Sequence, residues 1–294
     1  MITFMWPSSG ALQAHSASRA SARRARFGMN HLSYRSGQEY NRPDMTPETI
    51  SDMEPQPQGM SEASRLSGVF FEPSKAFADI AARPSFLVPL ILSLVFGVAY
   101  ISLFSQRVGW ERMIRHQQET SSRAAQLTPE QREQGVQMGA KFAPVFGYVG
   151  ILLGVPLTLV IWSGVLLGIV KGIMSVPLKF KQVFAIVCYA GLPGLIFMAL
   201  AIAVMFLKAP DDFNLQNPLV FNPGAMMDQA TSSKFVYSLA SSLDLFRIWT
   251  LVLIGLGLKA AGGKKISTGG AMAAAFVPWL IWIFCAAGLA GVFS

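Results

Sequence analysis

Five apolar runs dominate the chain after residue 85, near residues 86–105, 144–170, 183–207, 237–258 and 271–293. A helix needs roughly 20 apolar residues to cross the ~30 Å hydrocarbon core of a bilayer, and each run has that length. The expected fold class is therefore all-α, a polytopic transmembrane bundle of five spans. Charge is segregated to match. Only 14 % of the residues are charged, against about 25 % in an ordinary soluble domain. Asp244 and Arg247 are the one acid and the one base inside the five runs.

A net charge of +8 fits membrane topology and attraction to anionic headgroups, so membrane lipids are the expected partners. A basic stripe interleaved with aromatic platforms, which a nucleic-acid partner needs, is missing. Cys188 and Cys285 both fall inside apolar runs, which argues against a disulfide framework and against a zinc site. His15, His31 and His116 show no ligand spacing, and no metal or cofactor is expected. Enzyme signatures are also missing. There is no HExxH, one membrane aspartate is no carboxylate dyad, and Gly262-Gly263-Lys264-Lys265 lacks the phosphate-loop pattern and its preceding strand.

Residues 1–65 are rich in Ser, Arg, Pro, Gln and Met without a sustained apolar period. They predict a disordered basic and polar tail, with too little apolar surface to offset chain entropy. The segment contains Arg19, Arg23, Arg24, Arg26 and Arg35 but no acid before Glu39, a composition similar to an organelle transit peptide. The competing expectation is that translation starts at Met29, Met45, Met53 or Met60.

Ser67–Pro84 predicts a short amphipathic helix lying in the membrane interface before the first span. Pro73 suits its first position. Phe77, Ile80 and Ala81 share one face, Lys75 and Asp79 form an i,i+4 pair on another, and Pro84 ends it. The string Phe70-Phe71-Glu72-Pro73-Ser74-Lys75-Ala76-Phe77, followed by Ile80, Pro84 and Pro89, resembles the opening of bacterial Yip-domain proteins. These are relatives of the eukaryotic Ypt/Rab-interacting membrane proteins. Two later stretches are similar as well. One is Phe180-Lys181-Gln182 with Tyr189-Ala190-Gly191-Leu192-Pro193; the other is Ser242-Leu243-Asp244-Leu245-Phe246 with Ile248-Trp249. The resemblance covers residues 66–294. It implies a five-span helical membrane domain with a cytoplasmic N-terminus, in a bacterial cytoplasmic membrane, and a C-terminus on the opposite side. The short loops 171–182 and 259–270 carry three lysines each and no acid, which agrees with that orientation.

Four features stand out as candidate sites. Asp244 and Arg247, three residues apart, predict an intramembrane polar pair deep in the fourth span, and each charge costs about 2.5–3.5 kcal/mol at a helix centre. Tyr189, Gly191, Pro193 and Gly194 predict a kink or break in the third span. Gly150, Gly154, Gly164, Gly168 and Gly172 form GxxxG pairs that permit close helix packing, within the chain or between copies of it. Trp110, Met113, Ile114 and Gln117 share a helix face after the first span, and Thr128-Pro129-Glu130-Gln131 reads as a capping box. The expected function is non-enzymatic, organising membrane or recruiting partners. The alternative is a small transporter or channel built around Asp244 and Arg247.

Overall fold

The computed structural model describes residues 59–119, 126–215, 217–228 and 231–292. The tail up to residue 58, with its proposed start sites before Met60, its arginines and its two histidines, lies outside the described residues, as does Phe293. The described residues are helical and contain no strand. Five helices are long and apolar enough to cross a membrane: Leu87–Arg107, Pro129–Ile173, Phe180–Leu207, Leu245–Lys265 and Thr268–Gly291.

Two short helices precede the first span. Helix α1 (Glu62–Phe71) starts inside the expected tail: Ser61 caps it, its side chain accepting from the Ser64 N–H. Helix α2 (Pro73–Ala82) follows at once, with Pro73 in its first turn as expected. The expected amphipathic face exists, but protein covers it. Phe77 and Ile80 are fully buried, in a core shared with Val183, Ile186, Tyr189, Ile254 and Leu258.

Helix α3 (Leu87–Arg107) makes the first span. Both Val108 and Gly109 donate to the Phe104 carbonyl at 3.0 Å, and Gly109, at φ +86°, turns the chain back. That left-handed conformation suits a residue without Cβ. Helix α4 (Trp110–Glu119) then packs on helix α5 (Pro129–Val149). The expected capping box is present: Gln131 N–H donates to Thr128 Oγ1 at 3.3 Å, and Thr128 N–H to Gln131 Oε1 at 3.0 Å. Thr128→Ala should cost about 1 kcal/mol, measured as earlier unfolding in detergent.

Helix α5 continues through a π turn (Gly150–Gly154) into helix α6 (Val155–Gly168). Pro156 has no N–H for the Leu152 carbonyl, and a widened turn ahead of it relieves the clash. The third span is interrupted ahead of Pro193. Helix α7 (Phe180–Ala190) stops, and helix α8 (Pro193–Leu207) restarts with the proline in its first turn.

The fourth run differs from its expectation. Helix α9 (Lys234–Ser242) ends before Leu243, and helix α10 (Leu245–Gly262) begins after Asp244. The span is therefore interrupted near its start rather than continuous from residue 237. Helix α11 (Thr268–Val292) completes the bundle, passing Pro278 without a break.

Helix α2 runs beside α10 rather than across its end. Phe70, at the end of α1, and Trp249 on α10 pack edge to face with ring centroids 5.6 Å apart. A Cβ on Gly257 would collide with Ile186 Cγ2 and stand 3.1 Å from Phe77 Cδ1. At the end of α2, Gln182 Nε2 donates to the Ala81 carbonyl at 2.9 Å. The hairpin α1–α2 thus finishes at the end of the bundle that carries Lys179 and Lys181.

Candidate functional site

The densest polar arrangement among the described residues joins the α1–α2 hairpin to α7. Arg65, on the inner face of α1, is 4 % exposed. Its Nε and Nη2 both lie 2.7 Å from Asp79 Oδ2 on α2. Its Nη1 donates to Ser85 Oγ at 2.7 Å and to Glu62 Oε1 at 3.2 Å. Ser85 Oγ in turn donates to Glu62 Oε1 at 2.7 Å. Tyr189, fully buried on α7, donates its hydroxyl to Glu62 Oε2. Asp79 Oδ1 accepts from Arg83 and from the Met60 N–H.

Burial alone would raise the Asp79 carboxyl, but Arg65, Arg83 and the Met60 N–H outweigh it and hold it below the ordinary aspartate value. Burial also works against ionised Glu62; the Tyr189 and Ser85 hydroxyls and the Arg65 guanidinium overcome it and lower that carboxyl too. The cluster is charged and hydrogen-bonded throughout, which is the condition under which a buried ion group is tolerated. It fastens the hairpin to the span that Pro193 breaks. Tyr189→Phe removes the donor to Glu62 Oε2 and should cost about 1–2 kcal/mol, read from unfolding in detergent at pH 7.

The sequence reading placed Tyr189 at a break but missed Glu62, Arg65, Asp79 and Ser85 as its partners. Ser61 as a cap and Glu62 in the first helical turn were the available signals. The expected Lys75–Asp79 pair does not form. Lys75 lies 3.2 Å from Glu72 Oε2, because Asp79 faces inward to Arg65 while Lys75 faces solvent. Between α7 and α8, Gly191 donates to Val187 O at 3.1 Å, and Gly194 to Gly191 O at 2.9 Å.

The Asp244–Arg247 pair is corrected. Asp244 is the N-cap of α10, its Oδ1 accepting from the backbone N–H of Phe246 at 2.9 Å and of Arg247 at 3.3 Å. The Arg247 side chain is exposed. Aspartate competes well for an N-cap, and the helix starts there instead of running through. The Tyr189 carbonyl, a conceivable acceptor for Arg247, takes the Leu192 N–H at 3.2 Å. Asp244 Oδ2 and Ser241 Oγ, on either side of the break, are buried without a partner among the described residues.

The glycines divide differently from their spacing. Among the described residues nothing stands within 4 Å of where a Cβ would sit on Gly150, Gly154, Gly164, Gly168 or Gly172, so these glycines do not pack against the described helices. On this span the glycines that admit a neighbour lie earlier, on α5. A Cβ at Gly139 would stand 2.9 Å from Ile114 Cδ1, and one at Gly147 2.8 Å from Trp110 Cη2.

No curated protein and no solved structure matches the chain. The Yip1 domain family matches residues 67–290, most of the chain and all five spans. The order of these elements, from the Phe-Phe-Glu-Pro corner between α1 and α2 to the capped start of α10, is carried by that matched stretch. The chain belongs to the Yip1 domain family of multi-pass membrane proteins.

Proposed function

We propose that this Yip1 domain protein is non-enzymatic and works by recruiting or organising partners within the membrane. The observation that carries the reading is the outward face of α6. Gly164 and Gly168 stand in open space, flanked by exposed Leu157, Ile161 and Val165. In lipid, helix association rests on close packing at small residues, and such a face suits a second transmembrane helix. That helix is either another copy of the chain or another protein. The test is proximity labelling and resonance energy transfer between tagged copies in native membranes. Gly164→Ile with Gly168→Ile should abolish association while leaving the monomer folded. Unchanged association in that variant, or a strictly monomeric wild type without captured partners, would sink the reading.

A transporter or channel is the second reading, and the broken fourth span favours it. Buried Asp244 Oδ2 and Ser241 Oγ, without partners among the described residues, sit at a helix break, where such groups line polar pathways. Asp244→Asn with Arg247→Gln should then alter flux across vesicles; intact flux would dismiss it.

We infer further that the N-terminus lies on the cytoplasmic side of a bacterial cytoplasmic membrane. Lys171, Lys179, Lys181, Lys259, Lys264 and Lys265 flank the spans at the hairpin's end, in keeping with the positive-inside bias. Five crossings then put the C-terminus opposite, and side-specific thiol labelling at Ser61→Cys against Ser232→Cys checks it.

A further inference from the structure

The stretch between the third and fourth spans carries large apolar side chains outside any long helix. Val220, Phe221 and Met226 are 70 %, 44 % and 87 % exposed. Clustered exposure of this kind marks a surface that meets something apolar.

Two rulers place the stretch in depth. The Arg107 guanidinium, which closes α3, lies 5.9 Å from the ring centroid of Phe206 near the end of α8, so the two spans end at one level. Below that level Phe197 meets Phe246 with ring centroids 5.6 Å apart, and Phe246 meets Phe221 at 5.5 Å. From Phe197 to Leu207 an α-helix rises about 15 Å. The second ruler is α9. A Cβ on Gly291 would stand 3.4 Å from Phe235 Cβ, so α9 starts level with the end of α11. From Lys234 to Ser242 it descends about 13 Å.

The stretch is seated at the foot of both. Leu219, 4 % exposed, shares a cluster with Ala201 and Phe246. A Cβ on Gly224 would collide with Ser241 Oγ and stand 2.8 Å from the Ser241 backbone nitrogen. Phe206, Leu207, Val236 and Leu289 are exposed apolar side chains nearer the end of the bundle. The hydrocarbon that covers them extends past the level of Leu219 and Gly224.

Irregular backbone is tolerated at such depth only where protein meets its polar groups. The Phe221 carbonyl accepts the Leu245 N–H at 3.1 Å, the first donor of α10. Asp244 takes the next three, through Oδ1 for Phe246 and Arg247 and through its carbonyl for Ile248. Asn222 Oδ1 accepts from the Ala225 N–H at 3.0 Å, and the Asn217 and Asn222 amides pair at 2.8 Å.

We propose that residues 217–227 form a re-entrant segment, entered from the end of the bundle that carries Arg107 and Lys208 and seated through Gly224 on Ser241 at the break in the fourth span. Its partner is the hydrocarbon of the leaflet remote from Lys179 and Lys181: Val220, Phe221 and Met226 lie against the acyl chains. The segment is separate from the association face on α6, and its placement holds whether or not the break conducts.

The test uses the full chain with Cys188 and Cys285 replaced by alanine and one new thiol, Val220→Cys or Met226→Cys, labelled with bimane in phosphatidylcholine vesicles. Phosphatidylcholine brominated along its acyl chains should quench both reporters as it quenches one at Leu289→Cys on α11. Iodide on both faces of the vesicle should leave all three untouched. A reporter at exposed Asp212→Cys should answer the opposite way. Gly224→Val, which forces the segment off the Ser241 backbone, should raise iodide quenching at Val220→Cys about threefold and leave the Leu289→Cys reporter unchanged. Iodide quenching of the Val220→Cys and Met226→Cys reporters equal to that at Asp212→Cys would overturn the proposal. So would quenching by neither agent, which would put protein rather than lipid over the segment, or a Gly224→Val change that moves no reporter.

Discussion

Arg65→Ala is expected to destabilise the protein by about 3 kcal/mol, because it strips the two donors from Asp79 Oδ2, leaving that carboxylate only Arg83 and the Met60 N–H on its other oxygen, and takes from Glu62 and Ser85 their shared donor. The measurement is equilibrium unfolding in detergent. Arg65→Met combined with Asp79→Leu should lose much less than the single change, since a buried ion pair replaced by apolar groups of similar volume is often neutral. Both carboxyls of the cluster are held below their ordinary values. Their stabilisation is therefore complete above the unfolded carboxylate range, about pH 4, and vanishes as pH falls through the lower folded values. Asp79→Asn should flatten that acid limb of the stability profile. If the wild type and Asp79→Asn share one acid profile, the cluster does not stabilise the hairpin.

Gly257→Leu is the second large effect, about 3 kcal/mol of destabilisation. The new side chain meets Ile186 on α7 and Phe77 on α2, both fully buried, and neither helix can move without opening the main core. The same measurement should find Gly164→Ala and Gly288→Ala neutral or slightly stabilising. Open space surrounds those glycines, and alanine is the better helix former by about 1 kcal/mol. Equal losses at all three positions would mean that α2 is not packed into the crossing of α7 and α10.

The spans were legible because hydropathy over 20 residues is a strong signal, and so were the Thr128 box and the Pro193 break, which rest on local backbone chemistry. The start of α10 was not. A hydropathy window averages across Leu243–Asp244, and the i,i+3 reading of Asp244 and Arg247 presumes a helix that the aspartate itself begins. The Arg65–Asp79 pair was hidden because its members sit on different helices, fourteen positions apart, where helical spacing rules say nothing. The composition shift near residue 65 was drawn as a boundary and cut through α1. GxxxG spacing marks small faces but carries no information on what stands opposite them. The glycines of that span that pack, Gly139 and Gly147, are eight apart, outside any GxxxG pair.

The most direct test of the fold's central feature, a hairpin locked along α10, is thiol crosslinking in native membranes. Phe70→Cys and Trp249→Cys are introduced after Cys188 and Cys285 are replaced by alanine, and a short bifunctional thiol reagent is added. The ring centroids of the native pair are 5.6 Å apart, so rapid intramolecular crosslinking is predicted, and it should fall sharply when Asp79→Ala is added. Failure to crosslink, with both thiols instead open to a lipid-soluble maleimide, would contradict the account: α1–α2 would then lie on the bilayer rather than in the bundle.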